Sequence, residues 1–351
     1  MKEGSTTGDS ARPRTLRRSE RVTATAMQAL VRRAVQASRP LPLAHGRLWG
    51  VDVIKNVPYA YQAPEQTLNI IRPKGRTDTL PVVIYVHGGG FHMMSKDTHW
   101  PITAVLARAG YLVVSVDYRL APEHPYPVPL ADTCAAVIWV QKNIATYGGD
   151  PERLAYAGDS AGGNLVASLA IAGCFPRSET YARALYEAAP AVKAVISACG
   201  IYQVSDPERF RRRRKVPGWV DKYLHVVCLN YLGGKALPEG GYSLADPLLL
   251  LEDSEYQSER PLPPFHLFCG TRDPLLDDTR RLATALRKRC VPVDAHLYPG
   301  GIHEFHIFAF QQIARQCWRR QLNFLSQHLA LDTAARAQRS LSRNKRLTAG
   351  V

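Results

Sequence analysis

The sequence lacks an apolar stretch long enough to cross a membrane. No hydrophobic run within its 351 residues approaches the roughly 20 residues that a transmembrane helix needs. The first 40 residues are basic and polar and have no apolar centre of the kind that a secretory signal contains. We therefore expect no transmembrane segment and a cytoplasmic location.

Cysteine pairs are also lacking. The seven cysteines are scattered along the chain without a C-x-x-C spacing, which excludes the common zinc and dithiol motifs and predicts free thiols in a reducing compartment. His303 and His306 are three residues apart with Glu304 between them, whereas the zinc motif H-E-x-x-H separates its histidines by four. The sequence therefore predicts neither a metal nor a cofactor.

Acidic residues are scarce, with 30 Asp and Glu against 45 Lys and Arg and a net charge of +15. Nine basic and three acidic residues lie in the first 40 positions, and five basic and one acidic residue lie in the last 20, so the two ends hold +10 of that charge. We find no nucleic-acid-binding module. We therefore expect no nucleic-acid partner, a disordered basic tail at 1–20 and a basic C-terminal tail at 331–351.

Between these ends, short apolar segments alternate with helical patterns. Strands are predicted at 68–71, 82–86, 112–116, 154–157, 192–196, 266–268 and 293–297, and helices at 103–109, 131–146, 163–172, 277–288 and 308–329. Nearly continuous apolar strands that alternate with helices are typical of a mostly parallel sheet covered on both faces. The sequence therefore predicts an α/β domain over 51–330.

Two segments depart from this alternation. Residues 21–50 contain an amphipathic pattern at 26–37 and are predicted to be a helical cap segment that packs on the body. Residues 202–260 contain no clear strand and are predicted to be a lid inserted over the strand ends, with a helix from 219 to 232. The basic run from Arg211 to Lys215 is expected to be a solvated face of this lid, with an anion-binding patch as the alternative.

The most informative motif is Gly158-x-Ser160-x-Gly162, which follows a predicted strand and precedes a predicted helix. A serine at the tip of such a sharp turn presents its hydroxyl to a substrate. Glycines two positions before and after it let the strand and the helix pass without collision. This context predicts a nucleophile elbow with Ser160 as the nucleophile.

A serine hydroxyl needs a base, and the base needs an acid that orients it. Both are expected in loops beyond the carboxyl ends of later strands. Asp273 follows the sixth predicted strand and is preferred over Asp277 and Asp278, which suit the first turn of the next helix. His303 follows the last predicted strand and is preferred over His306. The order serine, aspartate, histidine is the one expected for this architecture.

Three consecutive glycines, Gly88 to Gly90, follow the second predicted strand. Glycine leaves the backbone N–H groups unshielded, so they can approach a developing oxyanion. The N–H of the residue after the serine is the expected third donor. We therefore predict an oxyanion hole formed by Gly88, Gly89 and Ala161.

An apolar pocket is predicted from the loop that follows these glycines. Phe91, Met94 and Trp100 are its predicted substrate-binding residues, and they indicate a fairly short apolar acyl group. Interfacial activity on long triglycerides is less expected, because the lid segment shows no large apolar face.

Together these motifs resemble the hormone-sensitive lipase family of α/β-hydrolases, which includes bacterial esterases, arylacetamide deacetylase and plant carboxylesterases. The segments that match are His87-Gly88-Gly89-Gly90-Phe91, Asp117 to Pro127, Gly158 to Asn164, Asp273-Pro274-Leu275 and His303, and they cover about 45–330. The resemblance implies an α/β-hydrolase fold with a mostly parallel central sheet, helices on both faces and a helical lid. It also implies the triad and oxyanion roles given above.

Two details of the resemblance lead to further expectations. Asp117 and Arg119 lie in a family signature and are expected to tie loops beneath the site. The family often has glycine after the catalytic histidine, whereas this chain has Glu304, which we expect to face solvent, with a carboxylate that raises the basicity of His303 as the alternative.

The predicted activity is that of a serine carboxylesterase that hydrolyses short- to medium-chain carboxylic esters through an acyl-enzyme. An amidase or deacetylase of small N- or O-acylated metabolites would use the same residues, so this alternative stays open. A ligand-binding protein on a hydrolase scaffold, as in the plant gibberellin receptor, is a remote alternative, since retired sites usually lose the serine or the histidine. The expected partner is a small-molecule ester, and a homodimer is a further expectation.

Overall fold

The computed structural model describes residues 49–213, 216–234 and 243–330, and for residue 213 it describes the backbone alone. The predicted tails at 1–20 and 331–351 lie outside these residues, as does almost all of the cap segment at 21–50. Arg214 and Lys215 of the basic run also lie outside them.

An eight-stranded sheet forms the centre of the described chain. Its strands are β1 (Val51–Pro58), β2 (Thr67–Pro73), β3 (Leu80–Val86), β4 (Leu112–Val116), β5 (Gly149–Asp159), β6 (Val192–Ala198), β7 (Phe265–Gly270) and β8 (Val293–Tyr298). Their order is β1-β2-β4-β3-β5-β6-β7-β8. The β1–β2 and β2–β4 pairs are antiparallel and the remaining pairs are parallel. The predicted mostly parallel sheet is confirmed.

Helices follow most of the strands. They are α1 (Trp100–Arg108), α2 (Val128–Asn143), α3 (Ala161–Cys174), α4 (Thr180–Ala188), α5 (Arg209–Arg213), α6 (Gly218–Leu232), α7 (Pro247–Glu252), α8 (Leu276–Lys288) and α9 (Gln312–His328). Short 3-10 helices form at Ile144–Tyr147 and Phe305–Ile307.

The core lies on both faces of the sheet, as the apolar strands require. Along β3, Val82 and Ile84 pack into one cluster while Val83 and Tyr85 pack into the other, because successive side chains of a strand point to opposite faces. The first cluster includes side chains of α2, α3 and α8, and the second includes side chains of α1 and α9. The two layers hold the carboxyl ends of the parallel strands in fixed positions, where the candidate site lies.

Strand β1 and helix α4 were not predicted. β1 is an edge strand whose burial pattern is mostly exposed or intermediate, so it lacks the continuous apolar run that identifies the central strands. Its pairing register also shifts between Ile54 and Val57, where Asn56 has a φ of 57°. A bulge of this kind interrupts the two-residue alternation of side chains on which a strand prediction depends.

The segment between β6 and β7 contains three helices, α5, α6 and α7. Arg209 joins it to the body through a bidentate pair with Asp278 at the start of α8, and both side chains are buried. Arg211 and Arg212 are exposed and pair with Glu208 and Asp206 of the same segment. The described part of the basic run is therefore a solvated face with local ion pairs.

Candidate active site

The turn between β5 and α3 holds Ser160. The strand ends at Asp159, the helix begins at Ala161, and the serine between them has a φ of 52° and a ψ of −114°. A positive φ is rare for a residue with a side chain and indicates local strain. A hydrogen bond joins the turn to the neighbouring strand, because the Ser160 N–H donates to the Ala198 carbonyl of β6 at 2.8 Å.

The two glycines of the motif occupy positions that have no room for a side chain. A Cβ atom on Gly162 would lie 2.1 Å from the Val86 carbonyl oxygen, and one on Gly158 would lie 2.6 Å from the Gly162 carbonyl oxygen. Both neighbours are backbone atoms, which cannot move aside as a flexible side chain can. The close crossing of β3, β5 and α3 therefore requires glycine at these positions.

Ser160, His303 and Asp273 come together although 143 and 30 residues separate them in sequence. The Ser160 Oγ lies 3.1 Å from the His303 Nε2, and the His303 Nδ1 lies 2.8 Å from the Asp273 Oδ2. Asp273 is fully buried in the turn after β7, and its Oδ1 accepts the Leu275 N–H at 2.8 Å. His303 follows β8 and keeps 35% of its side chain exposed. The serine is therefore connected to a buried carboxylate through an accessible imidazole.

The charge on His303 depends on burial and on two neighbours. Burial lowers the pKa of the imidazole, but Asp273 and Cys199 together outweigh this effect and raise the pKa well above its usual range. This arrangement stabilises the imidazolium that forms when the ring accepts a proton from a serine.

The residues that were less favoured as the acid and the base of the triad have other contacts. Asp278 accepts the Tyr202 N–H at 2.9 Å and pairs with Arg209. Asp277 lies in the first turn of α8, 3.4 Å from Arg280. His306 is buried in the 3-10 helix, and burial lowers its pKa to about 4.

The glycine loop after β3 lies against the elbow. A Cβ atom on Gly88 would be 2.4 Å from the Asp159 Oδ2, and one on Gly89, whose φ is 104°, would be 2.3 Å from the Met93 carbonyl oxygen. The loop is tied at both ends, since the Tyr118 hydroxyl donates to the His87 carbonyl at 2.9 Å and the Met93 N–H donates to Gly89 at 3.0 Å. Ala161 is the first residue of α3, so its N–H has no preceding helical turn to bind.

A pair of carboxyl groups on this side of the site carries no signal in the sequence. Glu304 is turned inward, which corrects the expectation that it faces solvent. Its side chain is 22% exposed, its Oε1 lies 3.7 Å from the His303 Nε2, and it shares a hydrogen bond with Asp159. The backbone of Glu304 is in the left-handed region, with a φ of 54°.

The two carboxyl groups of this pair titrate differently. Burial raises the pKa of Asp159, but His99, whose Nε2 lies 3.3 Å from Oδ2, and the hydrogen bonds from Glu304 and Tyr85 together lower the pKa well below its usual range. Burial and the Asp159 charge raise the pKa of Glu304 to about 7. Asp159 is therefore the ionised partner and Glu304 holds the shared proton near neutral pH.

The three predicted pocket residues have different surroundings. Phe91 is fully buried and stacks on Tyr231 of α6 at 3.7 Å between ring centroids. Its role as a substrate contact stays a prediction, and its ring packs in the core with a backbone φ of 62°. Met94 is half-buried against Gly89. Trp100 begins α1 and packs edge-on against Trp49, with centroids 4.9 Å apart.

Residues of the inserted segment also lie near the site. The Tyr223 hydroxyl and the Val227 side chain of α6 both approach Gly90, within 3.3 Å of where its Cβ would be. Burial raises the pKa of Tyr223 to about 12, which His303 lowers and Glu304 raises through their charges. No local motif marks these residues, although their place in the predicted lid pointed to the region.

The signature segment after β4 is structural. Asp117 accepts hydrogen bonds from the Lys96 backbone and side chain, each at 2.5 Å. Arg119 forms a bidentate pair with Asp132 at 2.8 and 2.7 Å. These contacts tie the loop after β4 to neighbouring segments below the site, as expected from the resemblance.

Among the described residues, no helix combines the length and the apolar character that spanning a bilayer requires.

Comparison with known proteins gives matches over most of the chain. The profile of a protein family described as alpha/beta hydrolase fold matches residues 83–307. The chain is 31% identical over 243 residues to the versiconal hemiacetal acetate esterase of Dothistroma septosporum, which covers 67% of this chain and 70% of the relative. It is 58% identical over 96 residues to the carboxylesterase NlhH of Mycobacterium tuberculosis, which covers 26% of this chain and 30% of the length of NlhH.

Solved structures show the same architecture. The crystal structure of the esterase LipW from Mycobacterium marinum superposes with a TM-score of 0.68 and 26% identity, covering 90% of this chain and 92% of that one.

Proposed function

The chain belongs to the carboxylesterase and hormone-sensitive lipase branch of the α/β-hydrolase family, and from this premise we propose that it is a serine hydrolase of carboxylic esters. The observation that supports the proposal most directly is the continuous series of contacts from the Ser160 Oγ through His303 to the buried Asp273. Serine is a weak nucleophile by itself, and this arrangement supplies the base and the orienting acid that it needs.

The proposed reaction begins at the Ser160 hydroxyl. As Oγ attacks the ester carbonyl carbon, its proton passes to the His303 Nε2, which lies 3.1 Å away. Asp273 holds the Nδ1–H and stabilises the imidazolium. His303 then gives its proton to the departing alcohol, which leaves Ser160 acylated. A water molecule repeats the sequence and releases the carboxylic acid.

Negative charge develops on the carbonyl oxygen during each attack. We assign its stabilisation to the backbone N–H groups of Gly88, Gly89 and Ala161. Gly88 packs against Asp159, the residue before the nucleophile, so the loop and the elbow are held at short range. Donors fixed in this way need no reorganisation during the reaction.

The substrate is proposed to be an ester with a short acyl group. Met94 lies against Gly89, and Tyr223 covers Gly90, so bulky side chains crowd the proposed oxyanion loop. The fungal relative is named for an acetate ester, which agrees with a small acyl group. Trp100 stays a prediction as a pocket residue, since its ring packs on Trp49.

We also propose that the protein acts in the cytoplasm. All seven cysteines are free thiols and six of them are buried, which suits a reducing compartment. Recovery of the protein in an oxidising compartment with its thiols paired would contradict this assignment.

The proposed function is tested by hydrolysis of p-nitrophenyl esters of increasing acyl length by the wild type and the Ser160→Ala variant. We expect the highest kcat/KM with short chains and a loss on the order of 10⁶-fold in the variant. Ser254→Ala is the matched control, because Ser254 is exposed and lies outside the proposed site. Equal hydrolysis by the wild type and Ser160→Ala would refute the mechanism.

Two further measurements address the alternatives. An anilide with the same acyl group as the best ester tests the amidase alternative, which would be favoured if the anilide were turned over faster. Labelling by a fluorophosphonate probe tests the ligand-binding alternative. A folded wild type that neither labels nor hydrolyses any ester would support a binding role.

A further inference from the structure

A cysteine thiol lies beside the His303–Asp273 pair and has no role in the proposed reaction. Cys199 follows β6 directly, and its N–H donates to the Phe268 carbonyl of β7 at 2.8 Å. The Cys199 Sγ, a carboxylate oxygen of Asp273 and a ring nitrogen of His303 all lie within 4.8 Å of one another. The ends of three neighbouring strands therefore bring a sulfur, an oxygen and a nitrogen to one point.

We propose that Cys199, Asp273 and His303 form an inhibitory binding site for a borderline or soft divalent cation of the Zn²⁺ or Cd²⁺ type. Thiolate, carboxylate and imidazole are the donors that bind such ions, and a thiolate in the set disfavours Mg²⁺ and Ca²⁺. Tetrahedral zinc with bonds of about 2.0 to 2.3 Å separates its ligands by about 3.3 to 3.7 Å. The Cys199 Sγ lies within 4.8 Å of the other two donors and needs to approach them by at most about 1 Å. The His303 Nδ1 and the Asp273 Oδ2 are 2.8 Å apart and need to separate by about 0.5 Å to admit the ion.

The charges and the burial of the three residues agree with this assignment. Cys199 and Asp273 are buried, and burial raises the pKa of the Cys199 thiol to about 11, so the cation has to displace the thiol proton. As thiolate and carboxylate the two groups would then neutralise a divalent cation, which removes most of the penalty of burying charge. His303 is 35% exposed on its side chain. The cation can therefore enter along the exposed edge of the imidazole, where a water molecule would be its fourth ligand.

The expected consequence is a change in the protonation of His303. Asp273 faces Nδ1 at 2.8 Å, so Nδ1 is the nitrogen that shares a cation with Asp273. The S–H bond of Cys199 breaks, a metal–sulfur bond forms, and the thiol proton goes to solvent. The neutral imidazole keeps its single proton, which moves from Nδ1 to Nε2. An Nε2–H can donate to the Ser160 Oγ but cannot accept its proton, so the base is lost.

The inhibition rests on the proposed function, but the binding does not. Titration of the full-length protein with Co²⁺, monitored by absorbance, therefore tests the site without any substrate. We expect a near-ultraviolet band of thiolate-to-cobalt charge transfer in the wild type, displaced by Zn²⁺. A wild type that binds neither ion, or binds cobalt without this band, would overturn the proposal whether or not the protein is an esterase.

Substitution identifies the thiol. Cys199→Ser and Cys199→Ala should each abolish the band and weaken Zn²⁺ binding by at least about tenfold. The stringent control is Cys269→Ser, since Cys269 is also buried and interacts with Asp273. If the band were lost in Cys269→Ser and kept in the Cys199 variants, the assignment would be wrong. Cys290→Ser controls for the exposed thiol.

Activity completes the test. For each variant, ester hydrolysis with Zn²⁺ is expressed relative to the same variant treated with a chelator. Micromolar Zn²⁺ should inhibit the wild type and the Cys290→Ser variant reversibly, Mg²⁺ should have no effect, and the Cys199 variants should need at least about tenfold more zinc. Equal zinc sensitivity in the wild type and the Cys199 variants would overturn the inhibitory role.

Discussion

The two ring nitrogens of His303 face regions that are built differently. On the Nδ1 side, the turn after β7 holds the fully buried Asp273, whose Oδ1 accepts a hydrogen bond from the Leu275 N–H. On the Nε2 side, Ser160 shares its surroundings with Glu304 and Asp159, whose carboxyl groups hold one proton between them near neutral pH. The comparison shows that the same functional group has different surroundings on the two sides of the ring. Asp273 faces the Nδ1–H of an imidazole, whereas Glu304 faces another carboxylate.

The largest effect is expected on the Nδ1 side. Asp273→Asn keeps the size of the side chain but can present an N–H to Nδ1, which favours the tautomer that cannot accept the serine proton. We expect kcat to fall by about 10⁴-fold, measured with the best p-nitrophenyl ester. Asp277→Asn, in the first turn of α8, should leave kcat within about twofold, as surface substitutions usually do. A fall of less than tenfold in Asp273→Asn would show that the Nδ1 contact does not govern the base.

An intermediate effect is expected where the oxyanion loop meets Asp159. In Gly88→Ala the new methyl group would lie 2.4 Å from the Asp159 Oδ2 and 2.8 Å from its backbone oxygen, so the loop has to shift. We expect kcat to fall by about 10²- to 10³-fold, as when an oxyanion donor is removed.

The control for this change is Gly173→Ala in α3. A Cβ atom there has no neighbour within 4 Å, so activity should be unchanged. Wild-type kcat in Gly88→Ala would mean that the loop tolerates displacement and that Gly88 is not a donor.

The smallest effect is a change in pH dependence on the Nε2 side. The pKa of Glu304 is raised to about 7, so its negative charge appears as the pH rises through neutrality. His303, Asp159, His99 and Gly88 face it. The new charge would oppose the developing oxyanion by ~1 kcal/mol, or about fivefold. The pKa of His303 is also raised, so the growing fraction of neutral imidazole increases the activity of both proteins as the pH rises. We therefore expect kcat/KM of the wild type to fall by about fivefold relative to that of Glu304→Gln as the pH rises through neutrality.

The matching control is Glu252→Gln, which removes a carboxylate that pairs with Arg281 outside the site. Its pH profile should follow the wild type. Identical alkaline profiles for the wild type and Glu304→Gln would show that the shared proton has no influence on the reaction.

The sequence predicted the parallel strands and the residues of the candidate triad for a common reason. Each strand is marked by a local apolar run, and each triad residue lies in the turn after such a run. The carboxyl ends of parallel strands meet at one edge of the sheet. Ser160, Asp273 and His303 are all placed by this rule. The edge strand β1 lacks that mark, since its side chains are largely exposed and its register shifts at Asn56.

The features of the site that the sequence did not predict have a different origin. Phe91 and Glu304 both have a positive φ, a backbone conformation that a sequence pattern does not show. The pairing of Glu304 with Asp159 and the position of Cys199 beside Asp273 depend on the lateral order of the strands. Contacts between strand ends that are distant in sequence require the folded topology, and no single segment encodes them.

The backbone of Ser160 also limits how this catalyst can change during evolution or redesign. With φ at 52°, a second branch on Cβ would crowd the main chain, because β-branched residues are outliers in this region. A threonine nucleophile is therefore disfavoured by shape before its reactivity matters, while cysteine, which is unbranched, fits the same bend. The elbow selects among hydroxyl and thiol groups by geometry, so exploration of alternative chemistries at this position is confined to unbranched side chains.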